Sequence, residues 1–201
     1  MQAFGWGDAV DYLGWIFQGP LWSKGGAYSD EWELKFTDPK TIEAVEWLKK
    51  VTDEKEGYSY VGNDMAMEFS TGRAAATVLS TGDLSGITEN AKFDLGTAFL
   101  PNPNGDGACP TGGAGLAIPA GIDKNRQIAA IKFIDFVTND QNTAYWSQNV
   151  GYMPVRKTAM ELDEQKKFME ENPNFKTAIE QLPDTRPQDY ARVFLPGADQ
   201  E

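Results

Sequence analysis

The sequence predicts an α/β fold, because short apolar strands alternate with helices along its 201 residues. A buried strand from Ala74 to Leu79 stands between two helical segments. A second apolar strand, 113–119, precedes a helix that Asp123 opens. A further helix begins at 37–39, where a capping residue is followed by a proline in the first turn.

Composition narrows the function classes. Apolar residues make up 41% and aromatic residues 12% of the chain, enough for a core in one large or two small domains. The net charge of −12 argues against a nucleic-acid partner. The chain has no histidine and one cysteine, Cys109, which excludes Ser-His-Asp and Cys-His hydrolases and histidine-ligated zinc. No apolar run is long enough to span a membrane, and we expect no metal and no cofactor.

The first half of the chain gives five further expectations. Residues 4–18 form an aromatic, helical segment that stops at Gly19-Pro20. Residues 34–36 form a short strand. The helix after it carries an apolar stripe. Asn63 or Asp64 caps a helix that buries Met65, Met67 and Phe69, and another helix covers 84–91. The stripe consists of Ile42, Val45, Leu48 and Val51.

The second half begins with a strand over 93–100, followed by a turn-rich crossover at 102–107. The helix after Asp123 has apolar positions too dense for a fully exposed face. A helix from Asp140 through Trp146 precedes a break at 151–154. Residues 157–182 are charged and helical with an interruption at Pro173, and the tail after it has no clear periodicity.

The segment Ser80-Thr81-Gly82 is the strongest binding candidate. Small polar residues between the carboxyl end of a strand and a helix N-terminus expose backbone N–H groups, which suit anionic ligands. An ordinary capped turn is the alternative interpretation. Further candidates lie where the chain changes direction, and each has a purely structural alternative as core, turn or surface residue. They are Trp15, Gly112, Gly113, Tyr152 and Arg192.

These residue types suit two ligand classes. An aromatic face with hydroxyl and amide groups suits a sugar or polyol. Backbone N–H groups, hydroxyls and a forked arginine suit a phosphate. Paired carboxylates such as Asp163-Glu164 do not face each other on a helix, so we interpret the acidic runs as solvated surface.

Several short motifs occur in an order that resembles the solute-binding proteins of carbohydrate ABC importers. The resemblance covers essentially the whole chain and is greatest to the members that bind phosphorylated glycerol. The motifs are Phe69-Ser-Thr-Gly-Arg-Ala-Ala-Ala-Thr77, Phe99-Leu-Pro101, Gly112-Gly-Ala114, Lys132-Phe-Ile-Asp-Phe136 and Val150-Gly-Tyr-Met-Pro154.

The resemblance implies a two-lobed α/β protein of the type II periplasmic-binding class, about twice this length, that closes around its ligand. By resemblance, residues 1–99 and 155–201 form the second lobe, and residues 103–153 belong to the first. Hinge crossovers fall near 99–103 and 153–155. The chain then corresponds to a C-terminal fragment that exposes Ile131, Phe133, Phe136 and Trp146.

Family contacts map onto Ser80, Gly113, Tyr152 and Arg192, with Trp15 stacking on glycerol and Thr81, Gly82 and Gly112 beside them. The implied ligand is glycerol-3-phosphate, a glycerophosphodiester or a related carbohydrate. The implied partners are the membrane permease subunits of the importer. The implied location is periplasmic or extracellular, free or anchored as a lipoprotein.

Three alternatives stay open. A neutral sugar or oligosaccharide is the alternative ligand of an importer protein. A glycan-degrading or phosphodiesterase enzyme is disfavoured by the missing histidine and scattered carboxylates. A protein-interaction domain is supported mainly by the aromatic segment 4–22.

Overall fold

A computed structural model describes residues 1–8, 12–53, 55–100 and 109–195 of the chain. The strands within these ranges are β1 (Gln2–Gly7), β2 (Ser29–Asp30), β3 (Glu33–Leu34), β4 (Ser59–Gly62), β5 (Ala74–Thr77), β6 (Cys109–Pro110) and β7 (Thr185–Arg186). The helices are α1 (Leu13–Ile16), α2 (Gln18–Ser23), α3 (Pro39–Val51), α4 (Met65–Ser70), α5 (Leu84–Asn90), α6 (Lys124–Val137), α7 (Asp140–Val150), α8 (Asp163–Glu171), α9 (Pro173–Glu180) and α10 (Tyr190–Phe194). Short 3-10 turns cover 81–83, 157–161 and 182–184.

A parallel sheet with the order β4-β1-β5 organises the first half. In its register, Phe4 stands between Ser59 and Ala76. Helices connect the strands, as parallel pairing requires. This arrangement confirms the predicted α/β alternation, but the strand predicted over Ala74–Leu79 ends at Thr77 and buries only Ala74.

The prediction of a helix over 4–18 is wrong for its first part. Phe4 and Trp6 belong to the central strand β1, whose last three residues are buried. A central parallel strand is covered on both faces, so it lacks the alternation that marks a half-exposed strand. Gly5 lets the Met65 side chain pack closely against this strand, since a Cβ there would displace the end of that side chain.

The predicted stop at Gly19-Pro20 is also wrong, because both residues lie inside α2. Pro20 is the third residue of that helix. The first N–H groups of a helix have no intrahelical acceptor, so a proline there removes no hydrogen bond. The helix therefore continues to Ser23.

The apolar stripe predicted on α3 is only partly correct. Val51 is buried, but Ile42 and Val45 are exposed, at 44% and 50%. Thr41 and Ala44 are buried instead. These small side chains allow a close approach, since a Cβ on Gly26 would lie 2.9 Å from Thr41 Cα. A core of Phe17, Leu21 and Ala44 forms here, with Leu13, Tyr28, Trp47 and Leu48 packed against it.

The next two helices lie where the sequence predicts them. Asp64 caps α4 by accepting from Met67 N–H at 3.2 Å. Met65 is fully buried, whereas Met67 is 63% exposed, so the prediction that it is buried is wrong. The helix predicted over 84–91 is α5.

Neither of the strands predicted over 93–100 and 113–119 forms among the described residues. The first segment bonds to side chains in and just after α9: Asn174 accepts from the Thr97 N–H at 3.1 Å, and Gln181 bonds the Leu100 N–H and carbonyl, both at 2.9 Å. The second segment is largely exposed, with Leu116 at 58%. A strand needs a neighbouring strand for its backbone groups, and periodicity does not show whether one is present. The predicted crossover at 102–107 lies outside the described residues.

Helix α6 begins after the predicted cap Asp123, and α7 begins at Asp140 as predicted but continues past Trp146 to Val150. Asp123 accepts from two N–H groups of α6, and Asn139 caps α7. None of the residues of α6 is buried. The predicted exposure is confirmed: 51%, 57% and 63% for Ile131, Phe133 and Phe136, and 57% for Trp146. The division into lobes stays a prediction.

Helix α9 begins at Pro173, where the sequence predicts an interruption of the helical region 157–182. Strand β7 pairs in parallel with β6, aligning Cys109 with Thr185. Helix α10 was not predicted, because five residues are too few to show a helical period.

Candidate ligand site

The candidate residues follow the carboxyl ends of neighbouring parallel strands. Strand β1 ends at Gly7 and leads to α1, which carries Trp15. Strand β5 ends at Thr77 and leads to Ser80-Thr81-Gly82. The two strands are adjacent and parallel, so both connections leave the same edge of the sheet. That edge is where open α/β sheets bind ligands.

Ser80 begins the turn at this edge. Its backbone is extended, and its Oγ accepts from Gly82 N–H at 3.1 Å. The capping alternative is therefore realised in the structure. A hydroxyl that accepts in this way still has its own proton to donate, so capping and ligand binding are compatible.

Tyr152 lies directly against this turn. A Cβ on Gly82 would lie 2.8 Å from Tyr152 Cζ and 3.0 Å from its hydroxyl oxygen. Gly151 ends α7 in the left-handed conformation, with φ 109°, and a Cβ there would collide with the Thr81 carbonyl. The structure thus brings Ser80, Thr81, Gly82 and Tyr152 into one group. Tyr152 keeps 38% of its surface exposed.

Trp15 forms a second group with Gly112. Its Nε1 donates to the Thr111 carbonyl at 3.2 Å. A Cβ on Gly112 would lie 2.7 Å from Trp15 Cζ2, so glycine permits this approach. Tyr12 stands edge-on to Trp15, with ring centroids 6.5 Å apart. A Cβ on Gly113 would have no heavy atom within 4 Å, so this glycine takes no part in the close packing of either the Tyr152 group or the Trp15 group.

Arg192 is held on α10 beside Tyr28. Its backbone N–H donates to the Asp189 carbonyl at 3.0 Å. Burial raises the pKa of Tyr28 to about 12, the positive charge of Arg192 opposes that rise, and the charge of Asp189 adds to it.

Hydrogen bonds join the segments that carry Arg192 and Trp15, through residues that the sequence did not single out. They are Gln18, Gln188 and Asp189, with Trp22 and Arg186 beside them. Gln18 is fully buried and Asp189 is 6% exposed. One signal was available: Asp189 precedes Tyr-Ala-Arg-Val-Phe as an N-cap residue would. Gln18 gave a second, as a neutral polar residue in an aromatic segment.

Other chemistries find little support in the described ranges. They contain no group of three or more metal-ligating side chains suited to an ion. Burial, with Asp184 adding, raises the pKa of the Cys109 thiol, which disfavours the reactive thiolate. The helices between residues 12 and 195 are too short or too polar to cross a membrane.

Comparison with curated proteins finds relatives that are longer than this chain. The sn-glycerol-3-phosphate-binding periplasmic protein UgpB of Escherichia coli K12 is 31% identical over 195 residues, which is 94% of this chain and 44% of that protein. Its counterpart in Shigella dysenteriae is 32% identical over 165 residues, 79% of this chain and 37% of that protein. The chain thus spans less than half the length of these relatives.

Solved structures agree with the fold. UgpB from Mycobacterium tuberculosis in complex with glycerophosphocholine matches with a TM-score of 0.94 and 53% identity, over 98% of this chain and 50% of that one. Maltose-bound T. maritima MalE3 matches with a TM-score of 0.77 at 21% identity, over 99% of this chain and 53% of that one, which shows the fold alone. The predicted periplasmic-binding-protein fold is confirmed over the half that this chain covers.

The family model described as bacterial extracellular solute-binding protein matches residues 2–177. This range includes the sheet, Trp15, the Ser80 turn and Tyr152. The predicted resemblance is confirmed, and the chain belongs to the bacterial extracellular solute-binding protein family.

Proposed function

We propose that this chain supplies part of the ligand site of an ABC-importer solute-binding protein for glycerol-3-phosphate or glycerophosphodiesters. The observation that carries the proposal is that one partly buried hydrogen-bond network joins the backbone segments that carry an aromatic platform, Trp15, and a cation, Arg192. A phosphorylated polyol needs this combination of an apolar face and a forked donor. The 53% identical relative crystallised with glycerophosphocholine supports the same ligand class.

Each proposed contact follows from the chemistry of its group. The Arg192 guanidinium would donate to phosphate oxygens in a forked pair. The Tyr152 hydroxyl and the Gly113 N–H would donate to the same phosphate. The Ser80 hydroxyl would bind phosphate or a glycerol hydroxyl, and Trp15 would stack on the glycerol carbons. Thr81, Gly82 and Gly112 would shape the walls around these groups.

The proposal extends to the whole protein. Residues 1–99 and 155–201 belong to the second lobe and residues 103–153 to the first, so ligand binds between lobes that close by hinge motion. The protein works in the periplasm or outside the cell and delivers ligand to membrane permease subunits. Its role is binding, without catalysis of a reaction.

A titration panel tests the ligand class. It uses the full-length protein, meaning this chain with any natural sequence that flanks it. We expect calorimetric binding of glycerol-3-phosphate or glycerophosphocholine, and a fluorescence change on adding them because Trp15 changes its surroundings. The control ligand is maltose, a neutral disaccharide, for which we expect no binding.

Two results would overturn the proposal. Binding of maltose without binding of either phosphorylated ligand would identify a neutral-sugar importer protein. Hydrolysis of glycerophosphocholine by the purified protein, followed as choline release, would show an enzyme in place of a binding protein.

A further inference from the structure

We infer that Gln18 and Asp189 are positioning residues that fix Trp15 and Arg192 relative to each other before ligand arrives. The inference rests on the proposed function, because it assigns Arg192 to the phosphate and Trp15 to the glycerol. It adds two residues that do not themselves contact the ligand.

Gln18 connects α2 to the segment before α10. Its Nε2 donates to the Trp15 carbonyl and to Gln188 Oε1, both at 3.3 Å. Its Oε1 accepts from the Asp189 N–H at 3.0 Å. Because Gln18 is fully buried, no water competes for these bonds, and removing the amide would leave the Asp189 N–H unpaired. The Gln18 side chain therefore bonds both the backbone of Trp15 on α1 and the start of the helix that carries Arg192.

Asp189 holds α10 against the same region. Its Oδ1 accepts from Trp22 Nε1 at 3.2 Å, and its Oδ2 accepts from the Tyr28 N–H at 2.7 Å. Arg186 Nη2 lies 3.3 Å from Oδ1, and its guanidinium stacks 4.0 Å from the centre of the Trp22 ring. Asp189 stands at the N-cap of α10 but makes no side-chain capping bond. Its carboxylate instead fastens the helix to Trp22 and Tyr28.

The Asp189 backbone passes this restraint on to Arg192. The Asp189 carbonyl accepts from the N–H groups of Arg192 at 3.0 Å and Val193 at 3.3 Å. Ala191, the residue directly before Arg192, donates its N–H to the buried Ser29 Oγ at 2.9 Å. The Asp189 carboxylate and the Ala191 N–H therefore both attach the first turn of this five-residue helix to the region around Trp22, Tyr28 and Ser29.

A second path closes the network on the Trp15 side. The Thr111 carbonyl accepts from Trp15 Nε1 at 3.2 Å and from Gln188 Nε2 at 2.8 Å. Gln188 also meets Gln18, so Trp15 is tied to the Asp189 segment both by its backbone and by its indole. Groups fixed in this way lose little further freedom when a ligand binds, which favours affinity.

A double-mutant cycle tests whether Asp189 acts through Arg192. Asp189→Asn, Arg192→Ala and the double variant are titrated with glycerol-3-phosphate in the full-length protein. We expect Arg192→Ala to raise Kd about 100-fold, and Asp189→Asn to raise it about tenfold because Asn cannot accept from all the present donors. In the Arg192→Ala background, Asp189→Asn should change Kd less than twofold. Effects that multiply would show that Asp189 does not act through Arg192 and would overturn the inference.

Gln18→Leu tests the same network independently of the charge, with Gln165→Leu as the matched control. Both glutamines are fully buried, but Gln165 bonds Gln148 on α7. We expect both variants to lower the melting temperature, while only Gln18→Leu raises Kd, by about tenfold, and weakens the Trp15 fluorescence response. Equal effects of the two variants on Kd would show a merely structural role and contradict the inference.

The wild-type titration separates the two proposals. If the wild-type protein binds neither glycerol-3-phosphate nor glycerophosphocholine, the proposed function is wrong. If it binds either ligand and both Asp189→Asn and Gln18→Leu bind with unchanged Kd, only the positioning role is wrong.

Discussion

Gly82 illustrates how a single residue shapes the candidate site. Its missing side chain leaves the space that the Tyr152 ring occupies. We predict that Gly82→Ala displaces this ring and weakens glycerol-3-phosphate binding about tenfold, since a displacement near 1 Å costs a directed contact. Gly86→Ala is the control, because a Cβ there meets no atom within 4 Å and Gly86 lies inside α5. That control should leave Kd unchanged and stabilise the protein by about 0.4–1 kcal/mol.

Calorimetric titration and thermal melting of the two variants measure both effects. An unchanged Kd for Gly82→Ala would mean that Tyr152 takes no part in binding. At this scale the sequence predicted which residue types matter, such as Ser80 and Tyr152. Only the family resemblance grouped Ser80 with Tyr152, because Gly82 and Tyr152 are 70 residues apart and contact only through tertiary packing.

At the scale of elements, the segment 93–100 shows why its predicted strand does not form. Its end is bonded by one side chain, since Gln181 pairs with both the N–H and the carbonyl of Leu100. Gln181 is 6% exposed, so its loss would leave these backbone groups without partners in a poorly hydrated position. We predict that Gln181→Ala lowers the free energy of unfolding by about 2–3 kcal/mol.

Urea denaturation measures this loss. Gln127→Ala is the control, because Gln127 is only partly buried and donates one bond, to the Ile122 carbonyl. It should cost about 1 kcal/mol or less. Equal costs for the two variants would show that water replaces Gln181 at Leu100.

Elements with local signals were predictable, and elements defined by distant partners were not. The caps Asp64, Asp123 and Asn139 mark helix starts through bonds made within three residues. Strand β1 was assigned to a helix because its aromatic run carries no period of its own. Two short elements, β7 and α10, are defined by contacts with residues far away in the sequence, Cys109 and Ser29.

At the scale of the whole molecule, α6 leaves an apolar face exposed, as the family resemblance predicted for a fragment, although the density of its apolar positions alone indicated a covered face. Ile131 and Phe136 are 51% and 63% exposed. Exposed apolar patches of this kind promote association. We predict that the 201-residue chain alone self-associates at micromolar concentration, and that the double variant Ile131→Ser/Phe136→Ser reduces this association.

Multi-angle light scattering across a concentration series measures the association. The matched control is Ile42→Ser/Val45→Ser, which removes two similarly exposed apolar residues from α3, at 44% and 50%. If the association takes place through the α6 face, which the rest of the first lobe would otherwise cover, the control should associate like the wild-type chain. If the wild-type chain is strictly monomeric, the assignment of 103–153 to the first lobe is contradicted, because that assignment leaves the apolar face of α6 uncovered. If both double variants lose association equally, the association does not depend on the α6 face. It would then give no support to the assignment of 103–153 to the first lobe.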